Sequence, residues 1–448
     1  MSLLEALYRI KDEARAEYES AGAGCFKETM QSPSASGDNL LAKGDNLKWM
    51  KHMAEAGYSG KINLIYIDPP FFSKSKYDTV IKLNSDKVKG LQPIKFNAYN
   101  DKWDKGIEEY LRMLCARFYM MRELLADDGC LLVHLDWHIS HYIKVILDDI
   151  FGEKNFINEI VWNYKSGGTS KKHFAKKHDT ILFYSKTGEY YFKPQYEKSY
   201  NRELKPYRFK GVKEYKDNIG WYTNVKMKDV WQIDMVGRTS AERTGYATQK
   251  PEALIERIIE SCCREGGICA DFFGGSGTLA AVCHRMGRNW IYCDSGDIAF
   301  ATALKRLINC GADYVALEQS DNRKEKGSSR VKAKLELLPA AFSDKSVLNV
   351  SLISYSVDVK KLSLPPDSEK AVRKIIERDS LSLIDYWSVD FDFDGKVHKP
   401  QVIMSSETLN GHECRKIGDS FEKVSIQVAD VFGNNVFIAE GVESDKKD

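Results

Sequence analysis

The stretch Leu64-Ile65-Tyr66-Ile67-Asp68-Pro69-Pro70-Phe71 decides how this chain folds. Four apolar residues in a row read as a buried strand. An acid, two prolines and an aromatic follow. Proline fixes φ and carries no backbone N–H, so the strand must stop there. Taken alone, Asp-Pro-Pro is an ordinary turn at a strand end. What lies on either side decides whether it is more.

Outward from this stretch, strand and helix patterns alternate from about residue 40 to 162, which predicts a parallel sheet. "INLIYID" is one strand and "GCLLVHLD" (129–136) another. Between them "IEEYLRMLCARFYMMRELLADDG" predicts a helix ending at Gly129, and "HISHYIKVILDDIFG" a second closed by Gly152. Upstream, residues 2–20 place Leu3, Leu4, Leu7 and Ile10 at helical spacing, and "QSPSASGDN" (31–39) is a polar break. Residues 163–246 lose the alternation. They hold 18 Lys and Arg against 9 Asp and Glu, a local charge of +9, with many aromatics among them. The alternation returns at 250–310. "SDNRKEKGSSR" (320–330) reads as a linker, and 331–448 as a run of strands.

The bulk numbers fit this division. A chain of 448 residues is expected to form two or three domains, and 43% hydrophobic residues suffice for real cores. The net charge is only +2, so a nucleic-acid surface must be local. Ten cysteines without a CxxC pair suit reduced cytosolic thiols better than disulfides or zinc. The charged N-terminal stretch has no long apolar run, so neither a signal peptide nor a membrane span is expected.

A second stretch, "GGICADFFGGSGTLAAVCHRMGRNWIYCD" (266–294), reads strand, glycine loop, helix, strand. Gly274, Gly275 and Gly277 would let the backbone approach a ligand closely, and a helix N-terminus favours negative charge. Asp294 ends the next strand, where a carboxylate can accept from both hydroxyls of a ribose. Leu279 and Ala280 follow Thr278, so the fuller GxGxxG pattern is not met. A nucleoside cofactor other than NAD is favoured. A structural turn is the plainer alternative, and the acid at the next strand end weighs against it.

Together, "DPPF" and "DFFGGSGT" resemble the DNA amino-methyltransferases that use S-adenosylmethionine, and "TGYATQKPEALIERII" (244–259) looks like their TQKP motif. The order DPPF, basic segment, TQKP, FxGxG is that of the permuted β-class. "YNDKWDKGIEEYLRM" and "VHLDWHISHYIKVILDDIFG" look like the adenine-specific, type III modification-subunit branch. The resemblance covers roughly residues 37–310. It departs at Phe272, where the family usually has proline. It implies a Rossmann-like methyltransferase sheet, an α/β fold with an inserted target-recognition region and a small β-rich C-terminal domain. The expected divisions are 1–36 (helix and linker), 37–162 and 247–319 (the two catalytic parts), 163–246 (target recognition) and 331–448 (accessory domain).

The resemblance gives the acid a chemical reason. The exocyclic amine of adenine is a poor nucleophile because its lone pair is delocalised. Acceptors around its N–H bonds favour a pyramidal nitrogen. Asp68 would supply one acceptor and the Pro69 carbonyl another, with Pro70 helping to fix the turn and Phe71 stacking on the flipped base. Such stacking contributes about 1–3 kcal/mol, comparable to the cost of flipping. The resemblance also implies that Asp271, Phe273, Gly275, Gly277 and Thr278 form the cofactor loop, that Lys250 lies near the cofactor carboxylate, and that Asp294 meets its ribose. Asp45, in "AKGDNL", is a candidate near the cofactor or an N-cap for the helix after it. No metal is expected. Asp136 and His138 read as structural neighbours of the pocket. In the basic segment, Gly167 and Gly168 with Lys171, Lys172, Lys176 and Lys177 would grip phosphates, while Arg238 and Arg243 would contact DNA.

In the C-terminal segment, Asp390, Asp392 and Asp394 start a calcium-loop pattern, but Gln401 stands where that loop needs Glu. Val389, Phe391 and Phe393 instead read as a strand entering an Asp-Gly hairpin. With "EKVSIQVADVFGNNVFIAEGV", a second hairpin, the segment resembles immunoglobulin-like or PKD-like β-sandwich modules. The expected activity is N6-adenine methylation of duplex DNA. N4-cytosine methylation and a silent DNA-recognition subunit are the alternatives. The expected partners are double-stranded DNA and a second copy of the chain or a restriction subunit. No nuclease pattern or P-loop is present in the sequence.

Overall fold

A computed structural model describes residues 3–73, 76–81, 83, 90, 92–101, 103–104, 106–165, 170–320, 329–341, 343–405 and 412–442. Its centre is a sheet of ten strands. In chain order these are β1 (Phe26–Gln31), β2 (Leu40–Lys43), β3 (Ile62–Ile67), β4 (Leu125–Leu135), β5 (Phe156–Asn163), β6 (His178–Ser185), β7 (Val230–Gln232), β8 (Ile268–Asp271), β9 (Asn289–Asp294) and β10 (Val315–Gln319). Their spatial order is β1-β10-β2-β9-β8-β3-β4-β6-β5-β7. The run from β10 through β2, β9, β8 and β3 to β4 is parallel. β1, β6 and β5 add antiparallel pairings.

Helices cover both faces. On one side, α1 (Leu3–Ser20), α2 (Asn46–Met53), α3 (Ile107–Leu124) and α4 (Ser140–Leu147) pack with Ile65 and Ile67. On the other, α5 (Glu252–Cys262), α6 (Thr278–Arg285) and α7 (Asp297–Asn309) pack with Leu64 and Tyr66. This is why Leu64–Ile67 is apolar at every position: alternate side chains enter two different cores. β8 and β3 lie side by side, with Ala270 opposite Ile65, although some two hundred residues separate them.

Two expectations about boundaries change. The helix expected to reach Gly129 ends at Leu124. Leu125 is buried and already pairs with Ile62, and the register then shifts so that Leu64 faces Cys130. Gly129 sits at that irregularity, where a Cβ would lie 2.9 Å from the Ile62 carbonyl oxygen. The segment 163–246 is also less separate than expected. β6 and β7 fall inside it and return to the central sheet. Among its described residues, only Tyr196–Tyr200, Glu214–Lys216 and Trp221–Lys226 form their own antiparallel sheet. The apolar run Ile181-Leu182-Phe183-Tyr184 is buried, and that burial places β6 in the main layer.

Beyond β10, two antiparallel sheets and α8 (Pro366–Asp379) share one core that includes Leu348, Val350, Val372, Ile375, Trp387 and Ile426. The sandwich expectation omitted α8, which starts on Pro366 and turns Val372 and Ile375 inward. The second hairpin pairs Lys423–Asp430 with Asn435–Gly441. Asp390 accepts from the amides of Asp392 (3.1 Å) and Lys399 (2.8 Å), so it organises the loop after its strand. Most of the expected linker, 321–328, lies outside the described residues. This domain touches the catalytic part through a Lys305–Asp385 ion pair at 2.9 Å and Phe96 against Phe432. Among the described residues no helix is long and apolar enough to cross a membrane.

Candidate active site

Parallel strands end at one edge, and open α/β sheets bind ligands there. At that edge a cleft of about 380 Å³ is lined by Asp45, Asp68–Phe71, Lys250, Asp271, Phe273, Gly275, Thr278 and Asp294. The two informative stretches therefore meet in one place. Gly277 stands just behind as the N-terminal cap of α6.

Asp68 follows β3 directly. One carboxylate oxygen, Oδ2, is paired with the Lys250 ammonium. The other, Oδ1, is buried and has no hydrogen-bond partner. A buried acceptor left unmade is costly, so Oδ1 asks for a donor from outside the chain. The Pro70 carbonyl is already taken, accepting from the Tyr110 hydroxyl at 2.6 Å. Phe72 then adopts φ 57°, a left-handed conformation that costs a non-glycine residue roughly 1–2 kcal/mol. The bend separates the two aromatic side chains. Phe72 packs on Tyr110 with ring centroids 5.6 Å apart. Phe71 lines the cleft, with the Lys250 ammonium 5.3 Å from its ring centre.

The loop after β8 is shaped by close approach. A Cβ on Gly274 would meet the Tyr292 ring at 2.2 Å, and one on Gly277 would meet the Ala303 Cβ at 2.9 Å. Gly275 and Gly277 take φ of 49° and 71°. Asp294 accepts from the amides of Gly275 (2.9 Å) and Gly296 (2.7 Å). Burial nonetheless pushes its carboxyl above the usual range. Asp271 accepts from the Phe273 amide at 2.9 Å, and burial drives its carboxyl up more strongly. Thr278 accepts from Arg306 at 2.9 Å, which tethers the start of α6 to α7. Phe272 points away into the α1–α4 core, and its carbonyl accepts from Asn46 at 2.7 Å.

Asp45 lines the cleft but is fully engaged. Oδ1 caps α2 through the Lys48 amide at 2.9 Å, and Oδ2 meets Arg117 at 3.0 Å. Arg117, Tyr66, Tyr246 and Trp103 also line the cleft and were not singled out from the sequence. Arg117 sits mid-helix and Tyr66 mid-strand, so no local pattern marks them. Tyr246 lies four residues before Lys250, within the quoted TQKP stretch.

The basic residues lie apart from the cleft. Lys171, Lys172, Lys176, Arg238 and Arg243 are exposed, whereas Lys177 is half-buried. Gly167 and Gly168 lie outside the described residues. The Lys176 ammonium sits 3.1 Å from the ring centre of Trp137, itself half exposed just past the end of β4. Asp136 accepts from the His138 ring at 2.5 Å, a local pair beside that platform.

Comparison with known proteins gives this arrangement a family. The Mod subunit of the type III restriction-modification enzyme EcoP15I from Escherichia coli is 29% identical over 168 residues, 36% of this chain and 26% of that protein. The type II methyltransferase M.HpaI from Haemophilus parainfluenzae is 27% identical over 270 residues, 60% of this chain and 74% of that protein. Among solved structures, the PvuII DNA methyltransferase (cytosine-N4-specific) is 15% identical, with a TM-score of 0.40 over 62% of this chain and 89% of that one. The chain thus spans about a quarter of the length of the type III subunits it matches first. The profile described as DNA methylase (N6_N4_Mtase) matches residues 62–305, from the first residue of β3 into α7 and therefore more than half of the chain, and so the protein belongs to the DNA methylase family.

Proposed function

We propose that this chain is an S-adenosylmethionine-dependent DNA methyltransferase acting on N6 of an adenine flipped out of duplex DNA. The observation that carries the reading is the unpartnered, buried Oδ1 of Asp68, facing the same cleft as the glycine loop. A cleft of about 380 Å³ is of the size that holds a small ligand. The donor set suits a nucleoside with a charged amino-acid tail. Phe273, Gly275 and Thr278 would hold the methionine part, Lys250 its carboxylate and Asp294 its ribose. When bound, S-adenosylmethionine supplies an electrophilic methyl sulfonium. The protein's own contribution is positioning. Asp68 Oδ1 accepts from the amine and localises its lone pair, the Pro69 carbonyl accepts the second N–H, and Phe71 stacks on the base.

Cytosine N4 is chemically alike. Asp rather than Ser before Pro-Pro favours adenine, on the resemblance. Methylation-sensitive long-read sequencing of DNA from cells expressing the protein is expected to show N6-methyladenine at one recurring site. N4-methylcytosine there would move the assignment to the second reading. Residues 37–162 and 247–319 serve as the catalytic halves in this proposal, and 163–246 as target recognition. Residues 331–448 are an accessory domain. The names of the type III relatives suggest a restriction-subunit partner, and a homodimer is compatible.

Two outcomes follow from the binding assignments. S-adenosylmethionine is expected to raise the melting temperature by mass action. Asp294→Ala should weaken its binding on the order of ten- to a hundredfold, because it removes charged acceptors from the ribose site and from two loop amides. Calorimetry measures both, and unchanged affinity would remove Asp294 from the site.

DNA affinity should fall steeply with salt, with a log–log slope of about −0.9 per neutralised phosphate. Replacing Lys171, Lys172, Lys176 and Lys177 together should flatten the slope by up to about four units and weaken all sequences alike. Arg238 and Arg243 are better placed to change which site is methylated. A full slope in the quadruple variant would mean the gripping surface lies elsewhere.

A further inference from the structure

His134 is the next-to-last residue of β4, in the apolar run Cys130–Leu135, and is completely buried. A buried imidazole is costly unless both nitrogens are satisfied. Here both are. Nδ1 is 2.8 Å from the Tyr66 hydroxyl and Nε2 is 3.1 Å from Asp179 Oδ2. The Tyr164 hydroxyl donates to the other Asp179 oxygen at 3.0 Å.

The donors have one consistent direction. Burial raises the Tyr66 phenol well above its ordinary range, so it keeps its proton. Burial also works to raise Asp179, but the His134 contact, Lys250 and Tyr164 outweigh it and leave the carboxyl below its usual range. Asp179 is therefore an acceptor only, so the His134 Nε2–H donates to it, and Nδ1 shares its hydrogen bond with the Tyr66 hydroxyl. The ring cannot turn over without breaking the chain.

What the imidazole touches is the reactive strand end. Its ring lies 5.8 Å from Phe71, tilted by 33°, with the edge of Trp162 on another side at 5.3 Å. Tyr66 stands two residues before Asp68, on the same face of the strand. At the far end, the Tyr164 amide donates to the Lys177 carbonyl at 3.1 Å, inside the basic segment. A satisfied buried network of this kind rigidifies what it contacts.

We infer that His134 is a positioning residue for the target base: with Tyr66, Asp179 and Tyr164 it fixes Phe71 and the Asp68 strand end and ties them to the recognition segment. The inference rests on the methyltransferase reading above and deepens it. His134 does not line the cofactor loop, so its effect falls on the DNA base and not on S-adenosylmethionine.

The test uses the full chain and a duplex bearing the site found by sequencing, with 2-aminopurine at the target position for the binding measurement. His134→Leu should lower kcat on the order of 10- to 100-fold, the penalty of a small misplacement of reactants. Affinity for S-adenosylmethionine should stay within about twofold. The bound 2-aminopurine should be brighter than with the wild type, since stacking on Phe71 quenches it. His134→Gln, which can accept from Tyr66 and donate to Asp179, should recover part of kcat. Asp179→Asn keeps the volume and should fall between them.

Wild-type kcat and fluorescence in His134→Leu would overturn the inference. So would a loss of kcat that only tracks the fraction of molecules able to bind S-adenosylmethionine in both His134→Leu and Asp179→Asn, because the chain would then be a folding element. If the wild type itself neither binds S-adenosylmethionine nor methylates DNA, the underlying reading fails and the inference falls with it.

Discussion

Asp68→Ala is expected to cut methyl transfer by about 10²–10³-fold, the scale seen when one preorganised polar group is removed from a reacting centre. The loss has two sources. The amine loses the acceptor Oδ1, and the Lys250 ammonium loses its partner inside a cleft where its side chain is only 13% exposed. Binding of S-adenosylmethionine should change by no more than a few fold, because the glycine loop and Asp294 are untouched and Lys250, though it loses Asp68, keeps its charge for the cofactor carboxylate. Asp68→Asn separates the two sources. It keeps an acceptor of the same size but turns an amide toward Lys250, so it should also be poor. Transfer of labelled methyl to the sequenced site gives kcat, and calorimetry gives the cofactor affinity. An alanine variant turning over within tenfold of the wild type would remove Asp68 from the chemistry and leave Oδ1 without an explanation.

The readable parts of this protein are those in which one short stretch carries a whole local structure. "LIYIDPPF" specifies a doubly buried strand and its stop, and "DFFGGSGT" a strand, a tight loop and a helix start. Each is a matter of backbone chemistry within eight residues. That these two stretches line one cleft came from the family resemblance, since nothing in the sequence alone states that β8 lies beside β3. The Tyr66–His134–Asp179 chain was not legible for the same reason. It needs β3 beside β4 and β4 beside β6, and the last pairing was hidden in a segment read as separate because of its lysines and tyrosines. Asp45 shows the opposite case. Its position before "NLKWMKHM" allowed both a cap and a ligand, and the structure gives it the cap together with a buried arginine, Arg117, that no pattern announces.

Gly277→Ala tests whether the loop is a shaped cradle or only a turn. The substituted Cβ would stand 2.9 Å from the Ala303 Cβ and 3.1 Å from its Cα, on a backbone held at φ 71°. Both the clash and the left-handed strain act on the residue that caps α6, so the loop must move away from α7. Affinity for S-adenosylmethionine should drop on the order of a hundredfold, close to 3 kcal/mol. The conformational strain accounts for about 1–2 kcal/mol of that and the collision for the remainder. Ala303→Gly in the same chain removes the Cβ collision but not the strain. It also lowers helix stability by about 1 kcal/mol, because Ala303 is interior to α7. The double variant is therefore expected to melt no higher than Gly277→Ala and yet to bind S-adenosylmethionine more tightly. A rise in affinity against an unimproved melting temperature cannot come from general stability and would locate the binding defect in the contact between the loop and α7. If affinity instead follows the melting temperature through both variants, the glycine serves folding alone, and the cofactor must be held by other parts of the cleft.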